Sequence, residues 1–286
     1  MVEGALRVRL HSAAWLALAV LLGSTLLGAP RIAEAKGPDS VLVEQMTWTE
    51  IRDAVHGGVT TVIIPVGGTE QSGPFIAVGK HNRRVAILSE RIARALGNAL
   101  VAPVIAYVPE GSTAPPTSHM RFPGTITVPD DVFEKTLESA AESFRVHGFK
   151  DVVLLGDHGG YQSSLKAVAD RLNRRWASSG AHAIDVPEYY QALEGFAKEL
   201  KVRGLGADVG THADLSDTSL MLATDPSMVR LKQLRSAAKP DASLGVYGGD
   251  PRKSTAELGR LGIDAQVAQT VQAIRRATTH RPRQRS

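Results

Sequence analysis

The chain has 286 residues, 43% of them hydrophobic, 22% charged and 5% aromatic, with a formal net charge of +4 at pH 7. This length and apolar content suit one large or two small globular domains, and they exclude collagen-like and disordered chains. Cysteine is absent, so disulfides, thiolate zinc sites and cysteine nucleophiles are excluded, and any metal must bind His, Asp and Glu. The few aromatic residues argue against a nucleic-acid partner.

The first 35 residues have the layout of a secretory signal peptide. Arg7 and Arg9 precede an apolar run at residues 13–27, and the Ala-Glu-Ala sequence at residues 33–35 offers a cleavage site. The run is shorter than the ~20 residues that a transmembrane helix needs, so an uncleaved anchor is only the alternative interpretation. We therefore expect residues 1–35 to be removed and the chain to be exported, to the periplasm or outside the cell, with no stable membrane span after cleavage.

The C-terminal segment, residues 275–286, is basic and contains no Asp or Glu. Five arginines lie there: Arg275, Arg276, Arg281, Arg283 and Arg285. Without them the chain after residue 35 carries a small net negative charge, so the basic balance belongs to the tail and not to the folded domain. We expect this tail to be disordered and residues 36–274 to form a single domain.

Between residues 41 and 273, short apolar runs alternate with longer segments of helical periodicity. In chain order, the pattern predicts a strand at 61–66, a helix at 83–96, a strand at 100–104, a helix at 129–147, a strand at 151–155, a helix at 162–178 and a strand at 183–186. Strands that are separated by helices indicate a parallel sheet covered on both faces. The sequence therefore predicts an α/β domain without internal repeats.

Candidate catalytic side chains follow two of the predicted strands and occupy one further segment. Glu70 and His81 come after the first strand, His158 follows the third strand, and His212 and Asp217 lie in the further segment. Ligands of parallel sheets bind beyond the carboxyl ends of the strands. One such histidine is more often structural than functional, but three segments together indicate a metal centre of His and carboxylate ligands. Such a centre polarises a carbonyl group and lowers the pKa of a bound water.

Five segments also carry a family resemblance. They are IPVGGTEQ at residues 64–71, SHMRFPGTI at 118–126, DHGG at 157–160, the segment from His212 to Ser219, and GVYGGDPR at 245–252. In this order they resemble the motifs of the creatininase (creatinine amidohydrolase) family. The resemblance implies a three-layer α/β/α sandwich with a mainly parallel sheet, often assembled as a homo-hexamer. It also implies a centre of one or two metal ions that hydrolyses cyclic or linear amides.

The resemblance assigns roles to six residues by their positions. Glu70 and His158 match metal ligands, His81 stands where the family has an aspartate that bridges two metals, and Asp217 replaces a glutamate. His212 matches a histidine that moves protons near the metal, and His119 lies in the motif that lines the pocket. The expected metal ligands are therefore Glu70, His81, His158 and Asp217, and the expected catalytic residues are His212, Asp217 and His119.

The sequence departs from the family at the metal centre itself. Ser72 and Phe75 replace two family histidines, and Gly160 stands where creatininase itself has a glutamate ligand. A neutral imidazole such as that of His81 does not bridge two metals, whereas a carboxylate does so readily. We therefore expect one divalent metal ion, with Zn²⁺ the best match to the ligands and Mn²⁺ or Fe²⁺ as alternatives.

Several residues keep a second interpretation. His81 could cap the following helix as a polar loop residue, Ser72 could be a small filler or a hydrogen-bond donor to a bound water, and Asp157 could hold an imidazole or be an ordinary loop acid. Asp214 is expected to face solvent.

The leading functional hypothesis is an exported metal-dependent hydrolase that cleaves a C–N bond in a small-molecule amide. A creatininase-like binding or scaffold protein without catalysis, in the periplasm, is the alternative. A third hypothesis is metal-free lyase or isomerase chemistry with His81 as the base.

Overall fold

Four parallel strands form one sheet in the computed structural model, which describes residues 39–279. The strands are β1 (Thr61–Val66), β2 (Ala99–Val101), β3 (Asp151–Gly156) and β4 (His182–Asp185), and their order in the sheet is β2-β1-β3-β4. All residues of β1 and β3 are buried, which explains why both strands are continuous apolar runs. Val66 is paired with Gly156, so the segments that follow β1 and β3 start at the same edge of the sheet.

Helices cover both faces of this sheet. They are α1 (Trp48–His56), α2 (Lys80–Leu96), α3 (Asp130–Val146), α4 (Gln162–Arg175), α5 (Pro187–Leu200), α6 (Leu215–Thr224), α7 (Leu231–Ser236) and α8 (Ala256–Thr279). Val62, Ile64 and Val66 pack with α3 and α4 on one face, whereas Ile63 packs with α2, α5 and α8 on the other. Side chains alternate between the two faces of a strand, and the result is the expected three-layer α/β/α sandwich.

The described strands and helices differ from the sequence-based prediction at several boundaries. Strand β2 ends at Val101 instead of residue 104, and Pro103 in this stretch has no N–H to continue a ladder. Helix α2 begins at Lys80, three residues before the predicted start. None of the helices within residues 39–279 is long and apolar enough to cross a membrane.

The predicted boundary of the disordered tail at residue 275 is wrong for its first residues. Helix α8 continues to Thr279, and both Arg275 and Arg276 have partners on neighbouring elements. Arg275 Nη2 donates to the carbonyl of Ala95 at 2.8 Å, and Arg276 Nη2 lies 3.3 Å from Glu188 Oε1. The predicted signal peptide and the remainder of the tail, residues 280–286, lie outside the described residues.

A candidate metal centre at the sheet edge

A polar cavity of about 430 Å³ opens beyond the carboxyl ends of β1 and β3. Its walls come from the segment after β1, the start of α2, the short helix Ser118–Arg121, the segment after β3, helix α5 and the start of α6. All six residues that the sequence analysis singled out line this cavity: Glu70, His81, His119, His158, His212 and Asp217. The cavity therefore unites chain segments that are far apart in the sequence, from Glu70 to Tyr247.

Glu70 is the central residue, and its two carboxylate oxygens face different groups. Oε1 lies 2.7 Å from His81 Nε2, 3.4 Å from Lys80 Nζ and 3.7 Å from His212 Nδ1. Oε2 lies 3.1 Å from His119 Nε2 and 3.3 Å from His158 Nε2. We call the surroundings of Oε1 the cationic side of the centre, and the surroundings of Oε2 the imidazole side.

On the cationic side, His81 lies between two carboxylates. Its Nε2 contacts Glu70 Oε1, and its Nδ1 lies 2.6 Å from Asp157 Oδ1. Although burial and Lys80 both oppose a charge on the ring, Glu70 and Asp157 raise the pKa of His81. Ionised carboxylates can only accept hydrogen bonds, so both ring nitrogens donate and neither offers a lone pair to a metal. Of the alternatives above, Asp157 is therefore the partner of an imidazole and not an ordinary loop acid.

Asp217, also predicted to be a metal ligand, is paired with two buried cations. Its Oδ2 accepts from Lys80 Nζ at 2.8 Å and from the backbone N–H of Ala213 at 2.9 Å, while Oδ1 lies 3.6 Å from Arg84 Nη1. Burial alone would raise the pKa of Asp217, but Lys80 and Arg84 hold this pKa well below its usual value. The structure thus places His81 and Asp217 in the cavity, but their contacts are ion pairs and not a shared set of metal ligands.

The imidazole side has the arrangement of a metal site. One ligand atom each from Glu70, Glu110, His119 and His158 lies within 4.8 Å of the others. Among residues 39–279, Glu70 Oε2 and both oxygens of Glu110 are buried and have no hydrogen-bond partner. Four tetrahedral ligands at the usual Zn–N and Zn–O distances lie about 3.3–3.6 Å from one another, which is close to the two separations measured from Glu70 Oε2. The residues present therefore fit one divalent cation.

Glu110, which the sequence analysis did not single out, strengthens this fit. It lies in the loop after β2, where its backbone N–H donates to Thr127 Oγ1 at 2.9 Å. Gly68, with a φ of +150°, leaves room for the carboxyl, because a Cβ on Gly68 would lie 2.9 Å from Glu110 Oε1. Burial and the charge of Glu70 raise the pKa of Glu110 to about 8. A cation at this position would favour the ionised carboxylate and give its orphaned oxygens a partner.

Hydrogen bonds orient the two imidazole rings of the imidazole side. His158 Nδ1 accepts a hydrogen bond from the backbone N–H of Gly160 at 3.1 Å. His119 Nδ1 lies 3.1 Å from Gln71 Nε2, and Gln71 is held in this orientation because its Oε1 accepts from the N–H of Gly73. In both rings Nε2 is the nitrogen that faces Glu70. A metal ion would bind at this atom, which must then carry no proton.

A buried tyrosine fixes the backbone that carries His158. Tyr161 Oη accepts from the N–H groups of Asp157 and His158 at 3.1 and 3.0 Å, and it also lies within hydrogen-bond distance of the carbonyls of Val66 and Gly67. One hydroxyl thus joins the ends of β1 and β3, which explains why Glu70 and His158 approach each other so closely.

His212 has the environment of a neutral imidazole. Its Nε2 donates to the carbonyl of Gln71 at 2.8 Å, which leaves the lone pair on Nδ1 directed towards Glu70 Oε1. Burial, reinforced by the charge of Lys80, lowers the pKa of His212 to about 3. Asp214, expected to face solvent, is instead 1% exposed, and this prediction is wrong. Its side chain accepts from the N–H groups of Gly210 and Asp217 and so caps α6.

The comparisons with known proteins agree with this architecture. A family model described as creatinine amidohydrolase matches residues 44–274. The creatinine amidohydrolase of Pseudomonas putida is 28% identical over 258 residues, which is 82% of this chain and 96% of that protein. The 3-dehydro-scyllo-inosose hydrolase of Thermotoga maritima is 28% identical over 193 residues, 67% of this chain. The match covers only 58% of the length of that relative.

Solved structures show the same fold. A crystal structure of creatinine amidohydrolase superposes with a TM-score of 0.68 at 23% sequence identity, covering 84% of this chain and 98% of the other. A manganese form of creatininase gives a TM-score of 0.69 at 23% identity over 83% of this chain and 98% of the other. Because the family model matches most of the chain, the protein belongs to the creatininase family.

Proposed function

We propose that this protein is a metal-dependent hydrolase that cleaves a C–N bond in a small amide or cyclic amide. The observation that carries the proposal is the cluster of Glu70, Glu110, His119 and His158, in which three carboxylate oxygens are buried without a partner. Relatives named creatinine amidohydrolase and mycofactocin precursor peptide peptidase support hydrolysis of amide bonds. The cavity of about 430 Å³ is the size of a site for a small molecule.

The same four residues would hold one divalent ion, with Glu70 contributing Oε2. A divalent ion bound there supplies Lewis acidity, which polarises the scissile carbonyl and makes water a better nucleophile at neutral pH. Zn²⁺ fits two imidazoles and two carboxylates best, and Mn²⁺ is the main alternative. Solved family structures include a manganese form and a zinc–zinc form of a variant.

The neighbouring side chains position the reactants and handle protons. His212 is neutral at pH 7, and its Nδ1 is available to accept a hydrogen bond or a proton from an attacking water. After accepting that proton, His212 can donate it to the leaving nitrogen. On the outer wall, Tyr190, Leu193 and Leu220 line the cavity and would exclude water from a bound amide.

Removal and return of the metal test the proposal. The purified chain is expected to contain about one equivalent of Zn²⁺ or Mn²⁺, and to hydrolyse at least one member of a panel of cyclic and linear amides. Chelation should abolish hydrolysis, and addition of the metal should restore it, because the proposed reaction depends on the Lewis acidity of the ion. Hydrolysis that survives complete chelation would contradict the proposal. A chain that binds metal and ligand without hydrolysing any amide would instead favour the binding or scaffold alternative.

We also propose that the chain is exported and assembles as a homo-oligomer. The support is the signal-peptide pattern of residues 1–35 and, for assembly, the family resemblance. Expressed at full length in a bacterium, the protein should be recovered outside the cytoplasm with Lys36 as its first residue, and light scattering should give the mass of several chains. Recovery in the cytoplasm with residues 1–35 intact would contradict export, and a monomeric mass would contradict assembly.

A further inference from the structure

Lys80 places a full positive charge inside the proposed metal centre. Its side chain is 1% exposed, and its ammonium group lies on the cationic side of the centre. Nζ donates to Asp217 Oδ2 at 2.8 Å and lies 3.4 Å from Glu70 Oε1. A lysine is almost never buried to this extent unless it is paired, and here the partners include the central carboxylate of the site.

The groups around this ammonium are those that bind divalent metals. Glu70 Oε1 and Asp217 Oδ2 supply carboxylate oxygens, and His212 Nδ1, which carries a lone pair, faces the same Glu70 oxygen at 3.7 Å. Carboxylates and imidazoles also make up the imidazole side. The centre therefore has two positions for a positive charge, one on each side of the Glu70 carboxylate.

The balance of buried charge agrees with one additional ion. Around the two positions lie five carboxylates and three buried basic groups. The carboxylates are the buried Glu70, Glu110, Asp157 and Asp214 and the partly buried Asp217, and the basic groups are Lys80, His81 and Arg84. With all of them ionised, the excess of two negative charges matches a single divalent cation. A second divalent ion added beside Lys80 would leave buried positive charge without a partner, which is strongly unfavourable.

We propose that the Lys80 ammonium occupies a second cation position of the centre, so that the chain binds one divalent ion and would bind two if this ammonium were removed. The inference rests on the proposed function, because it assumes an ion on the imidazole side. The Lys80 ammonium then binds the carboxylates of Glu70 and Asp217 where a metal ion would otherwise bind them. The Glu70 carboxylate then joins one ammonium group and one metal ion.

Metal counting on three chains tests this proposal: wild type, Lys80→Ala, and Lys166→Ala as the matched control. Lys166 is an exposed lysine on α4 that pairs with Asp170. After equilibrium dialysis against Mn²⁺, elemental analysis is expected to give one equivalent for wild type and Lys166→Ala, and two for Lys80→Ala. Electron paramagnetic resonance should show coupled Mn²⁺ pairs in Lys80→Ala alone. The double variant Lys80→Ala/Asp217→Asn should return to one equivalent, because a carboxylate ligand is lost.

Two equivalents in wild type, or one in a folded Lys80→Ala chain, would overturn the proposal. The Lys80→Ala chain leaves two carboxylates without their cation, so its circular dichroism is measured with and without Mn²⁺. Folding that requires Mn²⁺ supports the proposal, since the ion then replaces the ammonium, whereas failure to fold at saturating Mn²⁺ contradicts it. A wild-type chain that binds no metal would contradict the proposed function as well, whereas a wild-type chain with two ions would contradict only the role of Lys80.

Discussion

The Glu110→Gln variant is expected to bind Zn²⁺ or Mn²⁺ at least about 100-fold more weakly than the wild-type chain, since loss of outer partners alone costs metal sites about 10- to 100-fold. Glutamine keeps the shape of the side chain but removes the negative charge that the cation would need. Within residues 39–279, both oxygens of Glu110 are buried and have no hydrogen-bond partner, which a bound cation would supply. Competition with a fluorescent chelator at pH 7 measures the affinity.

The same substitution should leave the metal-free chain almost unchanged. Burial and Glu70 raise the pKa of Glu110 to about 8, so without a cation this carboxyl is mostly protonated and neutral at pH 7, as glutamine is. The free energy of unfolding in the presence of a chelator is therefore expected to change by less than about 1 kcal/mol. Loss of metal affinity without loss of metal-free stability separates a ligand from a structural residue.

Glu44→Gln is the matched control, because Glu44 is exposed and should not change metal affinity. If Glu110→Gln binds metal as tightly as wild type, the ion does not lie on the imidazole side. The ligand set predicted from the sequence, Glu70, His81, His158 and Asp217, would then be the better assignment. It would require the ion pairs of His81 and Asp217 to break on metal binding.

The strands and helices that could be predicted from the sequence are those with a clear local pattern of apolar residues. Strands β1 and β3 are runs of β-branched and other apolar residues that end in glycine, and the structure places both as expected. Helix α8 was not predicted, because it contains Gly259 and Gly262, which weaken the helical pattern. A Cβ at Gly259 would clash with the backbone carbonyl of Ser219, so this glycine serves close packing against α6 and not a turn.

Sequence position and family resemblance together predicted six residues of the candidate site, but the predicted ligands that lie in the metal cluster are those that directly follow a central strand. Glu70 and His158 come within four residues of the ends of β1 and β3, and both belong to the metal cluster. Glu110 lies nine residues beyond the end of β2, and its position depends on the distant residues Thr127 and Gly68. His81 and Asp217 also find their partners through tertiary contacts. The positions of these two residues in the sequence therefore indicated that they lie near the site, but not which ion pairs they form.

The buried carboxylate of Asp157 is expected to contribute more to stability than any other single group of the cationic side. It accepts from His81 Nδ1 at 2.6 Å, from Arg84 Nη2 at 2.6 Å and from Tyr189 Oη at 2.6 Å, and it is 0% exposed. In Asp157→Asn an amide replaces one of the accepting oxygens, and the charges of His81 and Arg84 lose their partner. Breaking a buried ion pair by removing one member costs about 3–5 kcal/mol.

Urea unfolding of the metal-free chain at pH 7, followed by tryptophan fluorescence, measures this loss for Asp157→Asn. Tyr189→Phe is the matched control, since it removes one hydrogen bond to the same carboxylate and leaves the charges paired. Its expected cost is about 1 kcal/mol. Equal losses in the two variants would mean that Asp157 acts through packing and not through its charge.

The pH dependence of the stability difference between wild type and Asp157→Asn tests whether the charge of Asp157 causes the loss. Although burial opposes the charge, Arg84 and His81 lower the pKa of Asp157 below its value in the unfolded chain. The stabilisation from this lowered pKa is therefore complete well above pH 4 and is lost as the pH falls through the folded-state pKa, because the unfolded chain takes up the proton first. The difference between wild type and Asp157→Asn should then be largest near pH 7 and shrink below about pH 4. A difference that stays constant down to pH 3 would contradict the electrostatic origin, since the variant lacks the carboxyl whose pKa is lowered in the folded wild-type chain.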